Sequence, residues 1–375
     1  MYKKLTAVIL ISVVLLSMFC SCSSNNDKDS LQLSLKNEVS LSDIILGYLY
    51  INEEPSLKND IENVKKALFL TDKQIIYKKL SDIDTIDIAI KELSAVGCNV
   101  IITDSSISSS ALDASVVNNN NKYFILYGES SSTHKNALYY TTSDLEYCFV
   151  LGVIAAKRSE TKNIGILNAE SENNANYYSR VNAFALGVNL IFPEIKIPVS
   201  TNYNTLRKDK CDAIFASSTP NIQDAQGLIG INLENIESSA NLSPNYSEFI
   251  TKMLIDISNG TFDKRQICVG TNYALYDTSL DSVIKDDSER AEINAIINFF
   301  NKGNKLFTNN ELLINNGEIV SINLPITDNR GNKMTDDNGI YYYYKNSDGE
   351  LSKSSDYHAL ISRDMNYYVK NIVEK

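Results

Sequence analysis

Three kinds of side chain stand where they could do chemistry: cysteines closing an apolar leader, polar residues that follow short apolar runs, and two histidines. Residues 5–19 are apolar except Thr6, Ser12 and Ser17; they follow Lys3 and Lys4 and close on Phe19-Cys20-Ser21-Cys22-Ser23-Ser24. A run of about fifteen residues is too short to span a bilayer, and it ends in small residues and cysteine, the pattern of a cleaved secretory signal. The close resembles a bacterial lipobox, in which a small residue precedes a cysteine whose sulfur is diacylated and which becomes the new N-terminus. Ser21 before Cys22 meets that rule, whereas Cys20 follows the bulky Phe19, so Cys22 is the expected lipidation site. An ordinary signal cleaved within residues 20–25 is the alternative, and both readings export the chain. The expected location is the extracytoplasmic face of the cell membrane, with the lipid as the only anchor.

The other reactive side chains point to no catalysis. His134 lies in a Ser/Thr-rich stretch and His358 near the C-terminus, neither beside a serine or cysteine in a nucleophile-elbow context. The chain has no GxxxxGK[ST] and no GxGxxG. Cys98, Cys148, Cys211 and Cys268 are widely spaced, form no CxxC and flank apolar runs, which reads as small buried hydrophobes rather than metal ligands. No catalytic residue, metal or cofactor is expected.

Charge narrows the partners. The net charge of -11 becomes -13 once residues 1–21 are removed, because Lys3 and Lys4 leave and no acid does. Such a surface repels nucleic acid and anionic headgroups, so neither is expected to bind the globular part. Residues 23–30 are Ser, Asn, Asp and Lys only, a tether, and the folded part is expected from about Leu41.

Positioning falls to alternating strands and helices. Apolar runs at 44–50, 74–77, 99–103 and 123–127 read as strands, with helices over 57–70, from Asp84 to Gly97, and over 111–117. Ser143-Asp144-Leu145-Glu146 reads as a capping box opening a helix to about residue 157. The cycle restarts with strands at 163–167, 195–199, 213–216 and 228–231, a helix over 176–190, a second over 246–258 with Ser243 as its cap, and a strand at 266–270. Helix-separated strands imply parallel sheets covered on both faces. The expected fold is α/β, two doubly wound parallel-sheet lobes around a cleft. The second is shortened, because its connections after residues 199 and 216 are too brief for full crossover helices. Boundaries follow: 1–21 signal, 22–40 tether, 41–158 first lobe, 159–275 second lobe, 276–375 a return to the first lobe with a tyrosine-rich end. Hinges are expected near 158–162 and 271–279. Residues 340–345 ahead of Asn346-Ser347-Asp348-Gly349 read as a hairpin strand and turn.

Several segments together resemble the basic membrane protein family of substrate-binding lipoproteins. They are Val96-Gly97-Cys98-Asn99-Val100-Ile101-Ile102, Asn121-Lys122-Tyr123-Phe124-Ile125-Leu126, and the stretch 147–157 followed by Lys162-Asn163-Ile164-Gly165-Ile166. Asn182-Ala183-Phe184-Ala185-Leu186-Gly187-Val188 leading to Phe192-Pro193-Glu194-Ile195-Lys196-Ile197 belongs with them. So do Leu324-Pro325-Ile326-Thr327-Asp328-Asn329-Arg330-Gly331-Asn332 and residues 364–373, which carry Tyr367 and Tyr368 as an aromatic pair. The resemblance implies a type I periplasmic-binding-protein fold delivering a small polar ligand, typically a purine nucleoside, to an ABC transporter permease.

Ligands of such folds bind outside the carboxyl ends of parallel strands. That places the candidates at Asn52, Glu53, Asp104, Ser105, Gly128, Glu129 and Asn168, with Ser217 and Asn232 in the second lobe. Tyr177, Tyr178 or Tyr203 would stack on a base, Tyr177 foremost. The chain departs from the family at Ile51-Asn52-Glu53-Glu54-Pro55, which lacks the Gly-Asp-x-Gly-aromatic-Asn grip, and at Asn232, where an aspartate is expected. The Ser-x-x-Lys that comes next in the family is missing around Ser243-Pro244-Asn245-Tyr246. These departures frame an alternative: a diverged member acting as a surface interaction or regulatory lipoprotein without a transport ligand.

Overall fold

The computed structural model describes residues 39–52, 55–82, 85–128, 134–168, 176–193, 195–220, 222, 226–231, 233, 240–263, 265–302, 304, 306, 314–315, 318–319, 328, 330, 344–345, 351–352 and 368–374. After a single turn at Leu41–Asp43 the chain forms β1 (Leu46–Tyr50), α1 (Pro55–Ala67), β2 (Ile75–Lys79), α2 (Ile86–Ala95), β3 (Val100–Thr103), α3 (Asp113–Asn118), β4 (Tyr123–Tyr127) and β5 (Ala137–Thr142). The central strands β1 and β3 are buried along their whole length, as strands covered by helices on both faces must be. Leu57, Ile61 and Val64 of α1 pack on one face, and Ile86, Ile90 and Leu93 of α2 on the other.

The second half forms α4 (Leu145–Arg158), β6 (Ile164–Leu167), α5 (Tyr177–Ile191), β7 (Ile197–Ser200), α6 (Tyr203–Lys208), β8 (Ala213–Ala216), β9 (Leu228–Ile231) and β10 (Ala240–Leu242). Then come α7 (Ser247–Ser258), β11 (Arg265–Val269), α8 (Asp277–Val283) and α9 (Asp287–Asn301). The short antiparallel pairs β12 (Ile314–Asn315) with β13 (Glu318–Ile319) and β14 (Tyr344–Lys345) with β15 (Leu351–Ser352) come next, before β16 (Ile372–Glu374). The second pair flanks the turn expected at Asn346-Ser347-Asp348-Gly349, which itself lies outside the described residues.

Two six-stranded parallel sheets result, ordered β2-β1-β3-β4-β5-β11 and β16-β7-β6-β8-β9-β10. The chain divides between them differently from the sequence boundaries. Residues 145–156 of α4 are all buried, and the helix packs on α5, β8 and β9, so the chain has already crossed at Ser143 and Asp144. A helix without a polar face needs cover on every side, and only the second sheet with its helices supplies it. The expected hinge at 158–162 is instead a loop of the second lobe, where Ser159 Oγ and the Glu160 and Thr161 amides donate to the Asp212 carboxylate at 2.5, 2.8 and 2.9 Å.

Residues 247–269, expected in the second lobe, belong to the first: α7 packs on α1, and β11 pairs with β5. The third crossing begins at Gly270, within reach of the expected hinge at 271–279, but it leads back to the second lobe. There α8 meets β10, α9 meets α4, and β16 pairs with β7, Ile372 opposite Ile197. The crossings are tied to one another: the Ser143 amide donates to the Val269 carbonyl at 2.8 Å, Asn245 N to Leu275 O at 2.5 Å, and Ser243 N to Ser279 Oγ at 3.2 Å. The shortening expected of the second lobe falls on its connections, α6 having six residues, while β16 keeps its sheet at six strands.

Two glycines let α4 and α5 touch backbone to backbone. A Cβ on Gly152 would sit 2.1 Å from the Phe184 carbonyl oxygen, and one on Gly187 would sit 2.0 Å from that of Phe149. The pair sets where the first turn of α5 lies against Asp144.

Candidate functional site

On the first sheet the strand-end polar groups bind one another. Asp104 follows β3 and is 1% exposed. One carboxylate oxygen accepts from the Tyr48 hydroxyl; the other accepts from the Ser106 amide at 2.9 Å and from the Ser106 hydroxyl. Ser106 Oγ in turn accepts from the Ile51 amide at 3.0 Å, fastening the loop after β1 to the loop after β3. Thr103 Oγ1 accepts from Tyr127 N at 3.1 Å, and its carbonyl from the Tyr140 hydroxyl at 2.8 Å. Asp104 therefore organises these loops, with both of its oxygens engaged by the protein.

Of the other sequence candidates here, Asn52 and Ser105 are exposed. Gly128 turns the chain at φ +115°, donates its amide to the Tyr140 carbonyl at 2.7 Å, and leaves no room for a side chain, a Cβ there lying 2.9 Å from Ser109 Oγ. Cys22, Glu53, Glu129 and Asn232 lie outside the described residues.

The second lobe presents a different set. Asn168 follows β6; its amide donates to Ser200 O at 2.9 Å, and its buried Oδ1 has no hydrogen-bond partner among the described residues. Ser217 and Ser218 come after β8, and both hydroxyls are likewise buried without a partner among the described residues. Beside them stands Arg180, in the first turn of α5 and the only charged residue of that helix. Its Nη1 donates to the Ser217 carbonyl at 3.0 Å and its Nη2 meets Asp144 Oδ2 at 2.7 Å, while Nε has no partner among the described residues.

Asp144 precedes α4 on the first crossing. The expected capping box is replaced by a side-chain bond: Ser143 Oγ donates to Glu146 Oε2 at 3.3 Å instead of accepting from the Glu146 amide, and the Asp144 side chain makes no cap and turns to Arg180. The pair thereby joins the crossing after β5 of the first sheet to the helix after β6 of the second. The carboxylate of Asp144 holds the guanidinium charged. Burial, and then the same carboxylate, push the Cys148 thiol and the Tyr276 phenol upward, so both stay neutral beside the pair.

Arg180, Asp144 and Ser218 are the residues that sequence reasoning missed. The signal was present in Tyr177-Tyr178-Ser179-Arg180-Val181-Asn182-Ala183-Phe184: one guanidinium in a helix otherwise free of charge must find an acid. Tyr177 is corrected in the other direction. It is fully buried, its hydroxyl accepts from Tyr368 at 3.2 Å, and its ring packs edge-on to Tyr178 at 5.3 Å and Tyr368 at 6.2 Å, so it offers no face to a base. Tyr178 also packs on Tyr368, and the Tyr203 hydroxyl donates to Gln226 O at 2.6 Å. A cavity of about 750 Å³ opens beside α6, lined by Asn202, Tyr203, Asn204, Arg207 and Gln226 among others. It shares no residue with the Arg180 cluster.

No protein-family model matches the chain, and no curated protein does. Solved structures do. A transcriptional activator of the comK gene from Bacillus halodurans superposes with a TM-score of 0.53 at 14% identity, over 69% of this chain and 99% of that one. An ABC transporter solute-binding protein from Conexibacter woesei does so with a TM-score of 0.53 at 13% identity, over 73% and 99%. The fold is that of the type I periplasmic-binding proteins. At these identities the likeness is one of architecture, and neither neighbour is an enzyme by its name.

Proposed function

We propose that the chain is an extracytoplasmic solute-binding lipoprotein of the basic membrane protein type, anchored through Cys22 and serving an ABC transporter. The observation that supports this reading is a set of buried atoms at the second sheet's carboxyl ends that have no hydrogen-bond partner among the described residues: Arg180 Nε, the Ser217 and Ser218 hydroxyls and Asn168 Oδ1. In folded proteins such atoms are nearly always paired, and a cluster of them beside strand ends in this fold is what a ligand's polar groups would complete. The Asp144 carboxylate already balances the Arg180 charge, so the cluster offers one N–H donor, two hydroxyls and one amide acceptor without net charge. That suits an uncharged hydroxyl- and amide-bearing ligand, with nucleosides the leading class on the family resemblance.

A thermal-shift screen of the detergent-solubilised full chain against nucleosides, nucleobases, sugars and amino acids tests the proposal, followed by calorimetry on any hit. The expected result is stabilisation by a neutral polar ligand that weakens in Ser217→Ala. The second reading, a regulatory or interaction lipoprotein without a transport ligand, is favoured by one observation: Asp104 is already fully bonded within the protein. No stabilisation by any compound class would move the weight to it.

A further inference from the structure

Four helices end in the same hydrogen-bonded turn, two of them on a residue other than glycine, and one of those residues is a large apolar one. After α1 the Leu70 amide donates to Lys65 O at 2.8 Å and the Phe69 amide to Lys66 O at 3.3 Å, which puts Phe69 in the left-handed conformation at φ +55°. The corresponding residues are Gly97 after α2 at +91°, Lys210 after α6 at +62° and Gly260 after α7 at +65°. This position favours glycine, because a Cβ there crowds the backbone. Phe69 takes it nonetheless, with its ring 91% exposed.

Its neighbours repeat the theme. Val96, at the end of α2, and Val117, in the last turn of α3, are each 57% exposed. All three residues stand just ahead of β2, β3 and β4, at the amino ends of the first sheet, opposite the strand ends that hold Asp104. The chain also comes in here. Gln74 Nε2 donates to the Leu41, Ser42 and Ile44 carbonyls at 3.1, 3.3 and 3.0 Å, and Asn99 Nδ2 donates to Asp43 O at 2.8 Å, clamping the segment that leads into β1. Cys22 precedes Val39 by seventeen residues. Charge agrees locally though not globally. In a chain of net charge -11, the exposed Lys66, Lys73 and Lys135 at this end outnumber the acids Asp43 and Asp263, Asp72 being paired with Lys65 at 2.7 Å and the Lys122 ammonium donating to the Cys98 carbonyl at 3.0 Å.

We infer that the amino-end face of the first lobe lies against the bilayer, with the Phe69 ring seated at the headgroup boundary and the lysines beside it reaching the phosphates. The inference rests on the lipid-anchored reading above. It sets the lobe so that the strand ends near Asp104 and Asp144 point away from the membrane.

The chain contains no tryptophan, so Phe69→Trp installs a single indole reporter. The full chain carrying it is purified from bacterial membranes and reconstituted in vesicles of phosphatidylcholine and phosphatidylglycerol with brominated tails. The expected result is blue-shifted emission quenched by bromine, while Ile88→Trp, at the start of α2 on the opposite end, emits as if in water. Equal emission from both variants, unquenched, overturns the inference, as does a blue shift in native membranes that is absent from the pure-lipid vesicles, which would make the contact a protein. Phe69→Gly supplies an independent reading. It relieves the strained turn and is expected to raise Tm by about 1–3 °C, yet to weaken vesicle binding of the unlipidated Cys20→Ala/Cys22→Ala chain at least roughly tenfold. Unchanged vesicle binding would sink the proposal. Failure of the unmutated chain to fractionate with membranes would sink the lipid anchor instead, and partition of the unlipidated chain would still decide the face.

Discussion

The carboxyl ends of the two sheets are both polar and both buried, and they differ in how their polar atoms are satisfied. On the first sheet Asp104, Ser106, Thr103, Tyr48 and Tyr140 bond to one another and to the loops they fasten. On the second, Asn168, Ser217, Ser218 and Arg180 each keep a buried atom without a partner among the described residues. A closed network fixes loop shape and holds nothing in reserve. An open one costs stability at every unmet atom, and it is the half with recognition capacity to spare.

The largest effect is expected where the two halves meet. Arg180→Ala strips the partner from Asp144 and leaves its carboxylate buried, which should cost about 3 kcal/mol in chemical denaturation. That is the low end for such pairs, because the Arg180 side chain retains 22% of its surface exposure. Replacing both partners by apolar residues should recover most of this stability without restoring ligand binding. A single change that costs nothing would show the pair to be solvated.

Asp104→Ala should lose about 2–3 kcal/mol, since a charged acceptor of several hydrogen bonds disappears from the closed network. It should also loosen the loops after β1 and β3 in hydrogen exchange. Full stability in this variant would break the contrast between the lobes.

Asp60 asks whether a bonded group in the first lobe is always a stabilising one. It accepts from the Tyr246 amide at 2.6 Å, yet burial raises its carboxyl from 3.8 to about 6. A carboxyl raised on folding lends its stability below the unfolded value and loses it as pH climbs through the folded one, here between about 4 and 6. Asp60→Asn keeps an acceptor without the charge, so it should be more stable than the parent by about 2 kcal/mol above pH 7, with the difference fading to nothing below pH 4. Urea titrations across that range decide it, and a constant difference would refute the assignment.

The smallest effect separates the lobes most sharply. Ser217→Ala and Ser218→Ala remove unmet hydroxyls, so stability should hold or rise by up to about 1 kcal/mol, whereas affinity for a ligand should fall roughly 2- to 13-fold. Calorimetry showing unchanged affinity in both would place the ligand elsewhere.

Much of the scaffold is legible in the chain. The strands at 123–127, 213–216 and 228–231 stand where their apolar runs put them, because a strand buried on both faces has no polar alternation to blur its limits. Strand β5, Ala137-Leu138-Tyr139-Tyr140-Thr141-Thr142, has a strand's composition yet is absent from the expected set. Three-residue β10 and β16 have too little sequence to announce themselves and exist because a neighbour pairs with them. Which lobe owns α4 can be read from its missing polar face. The Asp144–Arg180 pair cannot, since it joins the starts of two helices that only the tertiary fold brings together. Asp104 stands at its expected place after β3, but its hydrogen bonds to Tyr48 and Ser106 depend on loops whose shape the sequence leaves open.

The pairing of β16 with β7 also sets a timetable. The first sheet has all its strands once Val269 has been made, whereas the second waits for Ile372 to reach Ile197, near the far end of the chain. Until then β7 presents a bare edge, the kind of surface that pairs with the wrong neighbour. A chain made from its N-terminus would therefore carry a finished first lobe beside an unfinished second one until β16 has been made.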